Sequence, residues 1–406
     1  MNQVSLPTMK QADHGPRPLG GEDDRRRRSG EGVTGASVRV RIAVFVAVIQ
    51  SILFLAHWFV YETWAGFLGV PDPSGISRVQ AALALLSVSF VVASLLAFRY
   101  YHLVMRLVYR AAAVWLGVLN FCFWAACCCW VVYPVARLSR LPWGRPLIAV
   151  TLFGAAILAS VYGIINGSWI RVRRITVKLP HTPQSWRGRV AALVSDTHLG
   201  HVRTYGFSRR IVTRLQRLQP DVVFIAGDLY DGTKADLDRL VGPWKELSTP
   251  FGAYFVTGNH EEFSDPAKYL HAIKRSGVCV LNNEKVTIDG LQIIGVNYRD
   301  SGNPERFRSI LQRAALDRGR TSILLAHAPH GLAIAEGEGI SLQLSGHTHG
   351  GQLFPFTWIA SRLYGPYTYG LKRFGNMTVY TSSGAGTWGP PMRVGTQPEI
   401  VLIRFE

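Results

Sequence analysis

The sequence predicts an α/β domain built as a four-layer αββα sandwich, preceded by a region of four transmembrane helices. Four long apolar segments precede residue 169. After that point short β-branched runs alternate with helical stretches, and later strands follow one another directly. This change from alternating to consecutive strands indicates two sheets stacked between helices. Five of the predicted strands end in loops that carry aspartate, asparagine or histidine.

The N-terminal segment, residues 1–38, is polar, rich in glycine and arginine, and poor in aromatic residues. Such a composition predicts a disordered tail. The four arginines at 25–28 could be mistaken for a twin-arginine export signal, which requires a short apolar stretch close by and a cleavage site. Thirteen residues separate this run from the first apolar segment, and three more segments follow. We therefore interpret the run as a topology anchor.

Residues 39–168 contain the four apolar segments, and none of the segments includes a charged residue. Each is about 20 residues long, the length that crosses a bilayer core. Tryptophan and tyrosine lie near their ends, as interfacial anchors do. Buried helices of a soluble protein are the alternative, and four such segments in succession argue against it. The predicted spans cover about 42–61, 79–98, 112–132 and 147–165.

The distribution of lysine and arginine predicts how these spans are oriented. With the N-terminus inside, 15 of the tail and loop Lys/Arg residues fall on the cytoplasmic side and 4 on the opposite side. Positive residues accumulate on the cytoplasmic side of membrane proteins. We therefore expect a multi-pass protein of the cell (inner) membrane, with its N-terminus and its last domain, residues 169–406, in the cytoplasm.

Net charge and cysteine positions limit the partners and the cysteine chemistry that fit this sequence. The net charge of +18 suits an anionic membrane surface or a phosphate-rich substrate. The basic residues are scattered and form no aromatic-basic groove pattern, so no nucleic acid is expected. Cys122 and Cys127–Cys129 lie in the third apolar segment without histidine or aspartate, which favours packing over metal or redox chemistry. Only Cys279 follows, so the last domain has no disulfide framework, as expected of a reducing compartment.

The strand-end loops carry five motifs whose side chains are metal donors. In open α/β sheets, ligands bind outside the carboxyl ends of the strands, so these loops are expected to converge. Imidazole, carboxylate and amide donors without thiolate suit Mn, Fe or Zn better than Ca or a structural zinc. The motifs are D-T-H at 196–198, G-D-L-Y-D at 227–231, G-N-H-E at 258–261, His327, and G-H-T-H at 346–349.

The order and spacing of these motifs resembles the calcineurin-like metallophosphoesterase family, over about residues 171–406. The stretches PDVVFIAGDLYDG, SGHTHGGQ and GAGTWGPPMRVGTQPEIVLI are similar to a membrane-associated bacterial branch. That branch includes YkuE and YaeI and is related to the hydrolases of UDP-2,3-diacylglucosamine. Four spans before the domain depart from the single anchor or short signal usual there. The resemblance implies the αββα fold, two divalent ions and hydrolysis of phosphoester or pyrophosphate bonds.

The resemblance also implies roles for individual residues. Asp228 would bridge the two ions, and His260 would stabilise the transition state and protonate the leaving oxygen. In a regular strand, side chains two residues apart share a face, and His347 and His349 might then bind one ion. The resemblance instead gives them to different ions. One ion would take Asp196, His198 and His349, and the other Asn259, His327 and His347.

Further residues are candidates for contacts with the metal ligands or with the substrate. Asp231 or Glu261 could orient a nearby imidazole as a carboxylate outside the ligand set. His330 lies close enough in sequence to His327 to touch substrate. Arg393 could contact a phosphate as a forked donor or be an ordinary surface arginine. His330 is otherwise expected to be a buried structural residue, as are His181, His201 and His271.

The leading hypothesis is a membrane-anchored, metal-dependent phosphohydrolase that acts on lipid-linked or nucleotide-sugar-lipid substrates. Anchoring would raise the local concentration of the enzyme near such substrates, and the basic juxtamembrane residues would attract anionic headgroups. The first alternative is an enzyme for soluble phosphodiesters, nucleotides or phosphoproteins. The second is a non-catalytic membrane scaffold, which the presence of every expected ligand argues against.

Overall fold

The computed structural model describes residues 35–69, 73–263 and 265–406. Residues 1–34 of the predicted tail, with the arginine run, lie outside the described residues. The first part of the structure is four long helices: α1 (Gly35–Leu68), α2 (Pro73–Ala97), α3 (Leu103–Leu138) and α4 (Arg145–Ser168). All four are long and apolar enough to cross a membrane. Helices α1 and α3 continue well past the predicted apolar segments, and the first turns of α3 include Arg106 and Arg110.

Aromatic and polar contacts hold α1 beside α3. The ring centroids of Phe59 and Phe123 are 5.6 Å apart, and Trp115 Nε1 donates to His57 Nε2 at 2.8 Å. Farther along, Trp130 Nε1 donates to Thr63 Oγ1 at 2.8 Å. These three pairs join α1 and α3 at successive points along their length. The buried cysteines of α3, Cys122 and Cys129, lie within apolar clusters, as packing residues do.

The rest of the chain forms two six-stranded sheets. The first has the order β1-β12-β2-β3-β4-β5 and the second β10-β11-β9-β8-β7-β6. The strands of the first are β1 (Arg171–Val177), β2 (Val190–Val194), β3 (Val222–Ala226), β4 (Ala253–Val256), β5 (Cys279–Val280) and β12 (Glu399–Phe405). Those of the second are β6 (Glu284–Ile288), β7 (Leu291–Val296), β8 (Ser322–Ala326), β9 (Leu342–Ser345), β10 (Gly370–Phe374) and β11 (Met377–Thr381).

Three apolar clusters stack these sheets between helices. One packs the first sheet on helices such as α5, the second lies between the sheets, and the third packs the second sheet on helices such as α10. Helix, sheet, sheet and helix are thus the four layers, which confirms the predicted αββα fold. The helices are α5 (Tyr205–Leu218), α6 (Leu237–Val241), α7 (Asn259–Glu262), α8 (Ala267–Arg275), α9 (Tyr298–Ser301), α10 (Pro304–Arg313), α11 (Leu332–Gly337) and α12 (Phe356–Tyr364).

Strand direction brings the functional loops to one edge. β2, β3 and β4 are parallel neighbours in the first sheet, and β8 and β9 are parallel neighbours in the second. The loops after all five strands carry the predicted donors. The stretch from 285 to 297 is a hairpin of β6 and β7. It turns at Asp289 and Gly290, which both have positive φ, the backbone conformation that a tight hairpin requires.

The last domain packs directly on the four apolar helices. Only Trp169 and Ile170 separate α4 from β1, and β1 pairs in parallel with β12 along its whole length. At the end of α4, Arg203 Nη2 donates to the carbonyl oxygen of Gly167 at 2.6 Å, which satisfies a helix-terminal acceptor. At the end of α2, the backbone N–H of Lys234 donates to the carbonyl oxygen of Ala97 at 3.1 Å.

A second contact joins α3 and α4 to the segment 390–396. Asn166 Nδ2 donates at 2.9 Å to two carbonyl oxygens of this segment, those of Arg393 and Thr396. Gly167 lies so close to it that a Cβ there would come within 3.0 Å of the Pro391 carbonyl oxygen. On α3, Asn120 Nδ2 donates to the carbonyl oxygen of Phe354 at 3.1 Å. The apolar helices therefore form part of the packing of the last domain.

Candidate metal centre

One group of donors comes from the loop after β2 and the loop after β9. Donor atoms of Asp196, His198 and His349 all lie within 4.8 Å of one another. The Nε2 atoms of His198 and His349 are 3.0 Å apart, and His349 Nε2 is 3.6 Å from Asp196 Oδ1. All three residues have positive φ, of 48 to 52°. Such a backbone is uncommon for residues other than glycine, and here it marks the point where each loop leaves its strand.

The second group comes from the loops after β3, β4, β8 and β9. Asp228, His327 and His347 offer donor atoms within 4.8 Å of one another. Asn259 Oδ1 lies 3.2 Å from His327 Nε2 and 2.9 Å from His347 Nδ1. The Nδ1–H of His327 donates to the carbonyl oxygen of Ala226 at 2.7 Å. That bond leaves Nε2 facing the other donors, the orientation that metal-bound histidines have.

Asp228 lies between the two groups. Its Oδ2 is 3.2 Å from His327 Nε2 and 3.8 Å from His198 Nε2. Its Oδ1 accepts a hydrogen bond from the backbone N–H of His260 at 2.9 Å, which fixes the carboxylate. A Cβ on Gly258 would collide with this carboxylate, so the loop after β4 requires glycine there. Asp228 has the position that a ligand shared by two ions needs.

The two histidines of the last loop belong to different groups. His347 has φ of 70° and His349 of 51°, so the loop is not a strand and the side chains do not share a face. The backbone N–H of His347 donates to the Asp196 carboxylate, with 3.0 Å to Oδ1. A Cβ on Gly346 would collide with the same carboxylate, which explains the glycine before His347. The imidazoles of His347 and His349 are only partly buried.

His260 lies beside the two donor groups. Its Nδ1–H donates to the carbonyl oxygen of Asp231 at 2.9 Å, and its Nε2 is 3.9 Å from Asp228 Oδ2. The ring is thereby held with Nε2 toward the centre. Asp231 also brings its carboxylate Oδ1 to 3.5 Å from His198 Nδ1. Asp231 therefore contacts two imidazoles, one through its backbone and one through its side chain.

Glu261 differs from the expectation that it orients an imidazole. Its fully buried carboxylate accepts hydrogen bonds from the backbone N–H groups of Asp228, Tyr230 and Gly258, at 2.8 to 3.0 Å. It therefore ties the loop after β3 to the loop after β4. Burial and the nearby Asp228 raise the pKa of this carboxyl to about 7.

Arg393 is not a surface arginine, which corrects one of the two sequence expectations for it. It is fully buried, and its Nη1 donates to the carbonyl oxygen of His349 at 2.8 Å. Its Nη2 donates to the carbonyl oxygens of Ser383 and Gly386, both at 2.6 Å, and is 3.1 Å from His349 Nδ1. The guanidinium therefore lies behind His349 and holds it from the protein side.

The remaining predicted histidines fall into three settings. His330 stacks on Tyr364 with centroids 5.8 Å apart, and its ring is 6.4 Å from that of His347. His201 is buried, as expected, and its Nε2 is 3.0 Å from the carbonyl oxygen of Tyr100 in the loop between α2 and α3. His181 and His271 are exposed, which corrects the expectation that they are buried structural residues.

Two aromatic residues near the centre were not predicted. Tyr298 lies with its ring 5.7 Å from that of His327 and 5.5 Å from that of His347. Trp388 lies with its ring 6.0 Å from that of His260. Tyr298 follows β7 as the predicted donors follow their strands, so the strand end itself was the available signal.

The charges of the centre fit divalent cations. Burial opposes ionisation of Asp228, but the nearby His327 imidazole brings the pKa of its carboxyl well below the usual range. Burial lowers the pKa of His327, yet Asp228 outweighs this and raises it to about 10. Burial, and then Arg393, hold the pKa of His349 well below its usual value. Ionised carboxylates and neutral imidazoles are the donor forms that metals bind, and a bound cation would displace the His327 proton.

The part of the chain that carries the donors is similar to a known family and to several named proteins. The sequence model described as calcineurin-like phosphoesterase matches residues 190–351. An uncharacterized metallophosphoesterase of Aquifex aeolicus is 30% identical over 257 residues, which cover 62% of this chain and 97% of that protein. The uncharacterized metallophosphoesterase YkuE of Bacillus subtilis is 28% identical over 284 residues, which cover 66% and 98%.

A further relative is named as a transmembrane protein. The transmembrane protein with metallophosphoesterase domain of Danio rerio is 33% identical over 272 residues, which cover 63% of this chain and 61% of that protein. The chain thus spans about three fifths of the length of that relative. Together with the four long apolar helices, this similarity indicates membrane association.

Proposed function

The chain belongs to the calcineurin-like metallophosphoesterase family of phosphoester hydrolases, and from this premise we propose a more specific function. It is a divalent-metal phosphohydrolase of the cytoplasmic membrane face, and its substrates are lipid-linked phosphoesters or pyrophosphates. The observation that carries this proposal is a direct connection from the membrane helix α4 to the donor groups.

That connection runs through Arg393. Its backbone N–H donates to the carbonyl oxygen of Gly163 in α4 at 2.9 Å, and its own carbonyl oxygen accepts from Asn166 of α4. Its side chain holds His349. One residue therefore contacts both a membrane helix and a donor, which supports a centre fixed at the membrane surface. Basic residues after α4, such as Arg173 and Arg174, would attract anionic headgroups there.

The proposed ligands follow the two donor groups. Asp196, His198 and His349 would hold one ion, Asn259, His327 and His347 the other, and Asp228 both. Two divalent ions would supply Lewis acidity to a water molecule and to the phosphate oxygens. Nitrogen and oxygen donors without thiolate favour Mn, Fe or Zn. Asp231 would hold His198 in place, and His330 and Tyr298 border the side from which substrate would approach His347.

His260 is the proposed general acid. With Nδ1–H held by the Asp231 carbonyl oxygen, Nε2 faces the centre and can pass a proton to the leaving oxygen. Burial lowers the pKa of the His260 imidazole, although Asp228 acts in the opposite direction. An anionic phosphate next to Nε2 would favour the protonated ring, because an opposite charge stabilises imidazolium.

The test uses the full chain in lipid nanodiscs and bis-p-nitrophenyl phosphate as a water-soluble substrate. Addition of Mn to chelator-treated protein should restore hydrolysis and raise the unfolding temperature, since ligands that bind only the folded state stabilise it. Asp228→Asn should abolish hydrolysis and lower the bound metal content. His260→Asn should lower kcat by about 10²- to 10⁴-fold with the metal content unchanged.

The metal measurement separates a ligand from a proton donor, because only the Asp228 variant should lose metal. The proposal fails if Mn-loaded protein does not hydrolyse the ester. It also fails if Asp228→Asn hydrolyses the ester as fast as the native chain.

A further inference from the structure

We infer that an apolar groove between α1 and α3 binds an acyl chain of the substrate while its phosphate lies at the metal centre. The inference rests on the proposed function and names the part of the substrate that the membrane helices recognise. The groove, called here the chain groove, has a volume of about 1010 Å³. That is at the upper end of the roughly 300–1,000 Å³ typical of ligand pockets.

The chain groove is polar at one end and apolar over the rest of its wall. His347 and His349 line the polar end. The apolar wall includes Ala56 and Phe59 of α1 and Leu116, Phe123 and Trp124 of α3. Metal ligands and membrane-helix side chains thus border one continuous space. A molecule that fills it needs an anionic head and an apolar body.

The position of the groove along α3 places it within the bilayer core. Arg106 and Arg110 lie in the first turns of α3, and arginines mark where a helix leaves the bilayer. The wall residues begin six positions later and run from Leu116 to Cys127. At 1.5 Å per residue, the wall extends from about 9 to about 26 Å beyond Arg110, within a bilayer core of about 30 Å. In the proposed orientation, the chain groove begins in the cytoplasmic leaflet and reaches past the midplane.

The apolar surface continues from the groove onto the last domain. Phe356, at the start of α12, lines the groove. Phe354, Trp358 and Leu363 next to it are 56%, 61% and 75% exposed. Asn120 of α3 binds the Phe354 carbonyl oxygen, so these side chains begin at the level of the groove. Large exposed apolar patches on one rim favour contact with lipid over contact with water.

The chemistry of the two ends selects a lipid phosphoester as the occupant. A helix of another protein could fill the apolar wall but would bring no phosphate to His347 and His349. A soluble nucleotide could reach the histidines but would leave the apolar wall unused. Only an amphiphile with a phosphoester next to its chain matches both ends.

The experiment compares two chromogenic diesters, p-nitrophenyl methyl phosphate and p-nitrophenyl octyl phosphate, which share one scissile bond. With the full chain in nanodiscs, kcat/KM for the octyl ester should exceed that for the methyl ester about tenfold or more, since each buried methylene adds affinity. Ala56→Trp places an indole in the groove and should reduce this ratio to nearly one. The loss should fall mainly on the octyl ester, because its chain would occupy the part of the groove that the indole fills.

The matched control is Ala47→Trp. Ala47 is exposed on α1, nine residues before Ala56, and so lies on the opposite face of the helix. It should keep the native octyl-to-methyl ratio, which also controls for partition of the octyl ester into the bilayer. An unchanged ratio in Ala56→Trp overturns the inference, and so does an equal loss with both esters. If the native chain cleaves neither ester, the proposed function itself fails.

Discussion

Arg393 is a buried cation that is surrounded by carbonyl oxygens. Its Nη atoms donate to carbonyl oxygens of His349, Ser383 and Gly386. Burial lowers the pKa of this guanidinium to about 10, while Asp196 acts to raise it, so the group stays charged at neutral pH. The carbonyl dipoles offset part of the desolvation cost of the charge. Their arrangement also forces the loops 346–352 and 383–386 to meet around one side chain.

Replacement of Arg393 should therefore destabilise the whole chain. Arg393→Met leaves the buried carbonyl oxygens of Ser383 and Gly386 without their donor, and each loss costs about 1–3 kcal/mol. The His349 carbonyl oxygen loses one donor and keeps the backbone N–H of Gln352. We expect a loss of about 3–5 kcal/mol in the free energy of unfolding, seen as a lower midpoint in thermal or denaturant unfolding. Arg404→Met is the control, because Arg404 is exposed on β12 and should change stability by less than about 0.5 kcal/mol. Equal midpoints for the two variants would refute this role.

At the residue scale, the sequence identified site residues that are metal donors and that also directly follow a strand. The donors from Asp196 to His349 were singled out because each follows an apolar strand and carries a metal-binding side chain. Arg393 carries no such pattern. Its burial depends on a loop from 383 to 393 that folds back over His349, and only the tertiary structure brings those segments together.

At the element scale, α4 meets the last domain through small residues. A Cβ on Gly163 would come within 3.0 Å of the Val394 side chain, and one on Gly167 within 3.0 Å of the Pro391 carbonyl oxygen. A Cβ on Gly154, in the same helix, would meet no such neighbour within 4 Å. The close approach is thus confined to the end of α4 that contacts the segment 390–396.

A bulky side chain at this end should separate the two parts of the molecule. Gly167→Val should lower the free energy of unfolding by about 1–3 kcal/mol, because the Pro391 backbone has to move. Gly154→Val makes the same change of residue type on an open face and should not destabilise the protein. Thermal unfolding of both variants in nanodiscs measures the difference. The interpretation is wrong if Gly154→Val is the more destabilising of the two.

Helices and strands whose own sequence shows a clear apolar pattern were predicted. Those whose conformation depends on packing against other parts of the chain were not. β2, β3 and β4 are short buried runs of apolar residues, and α5 has apolar residues at helical spacing. By contrast, α12 exposes Trp358 and Leu363, so its sequence shows no polar outer face by which to recognise a surface helix. Its exposed apolar side chains make sense only beside the membrane helices.

At the scale of the whole molecule, the orientation of the four spans decides which compartment holds the metal centre. The excess of lysine and arginine on one side predicts a cytoplasmic last domain. In membrane vesicles sealed with the cytoplasmic face inside, protease should leave residues 169–406 intact. In inverted vesicles, or after detergent is added, the same domain should be digested. Digestion in intact vesicles of the first kind would place the domain on the other side.

The short link between α4 and β1 has a consequence for how substrates are found. Ser168 ends the helix, and Arg171 begins a strand that pairs with β12 over seven residues. No flexible linker therefore allows the donor groups to move away from the end of α4. With the lipid substrate proposed above, encounters would depend on lateral diffusion and on the number of substrate molecules per unit area of bilayer. Crowding of the membrane would then slow hydrolysis even when the surrounding solution remains dilute.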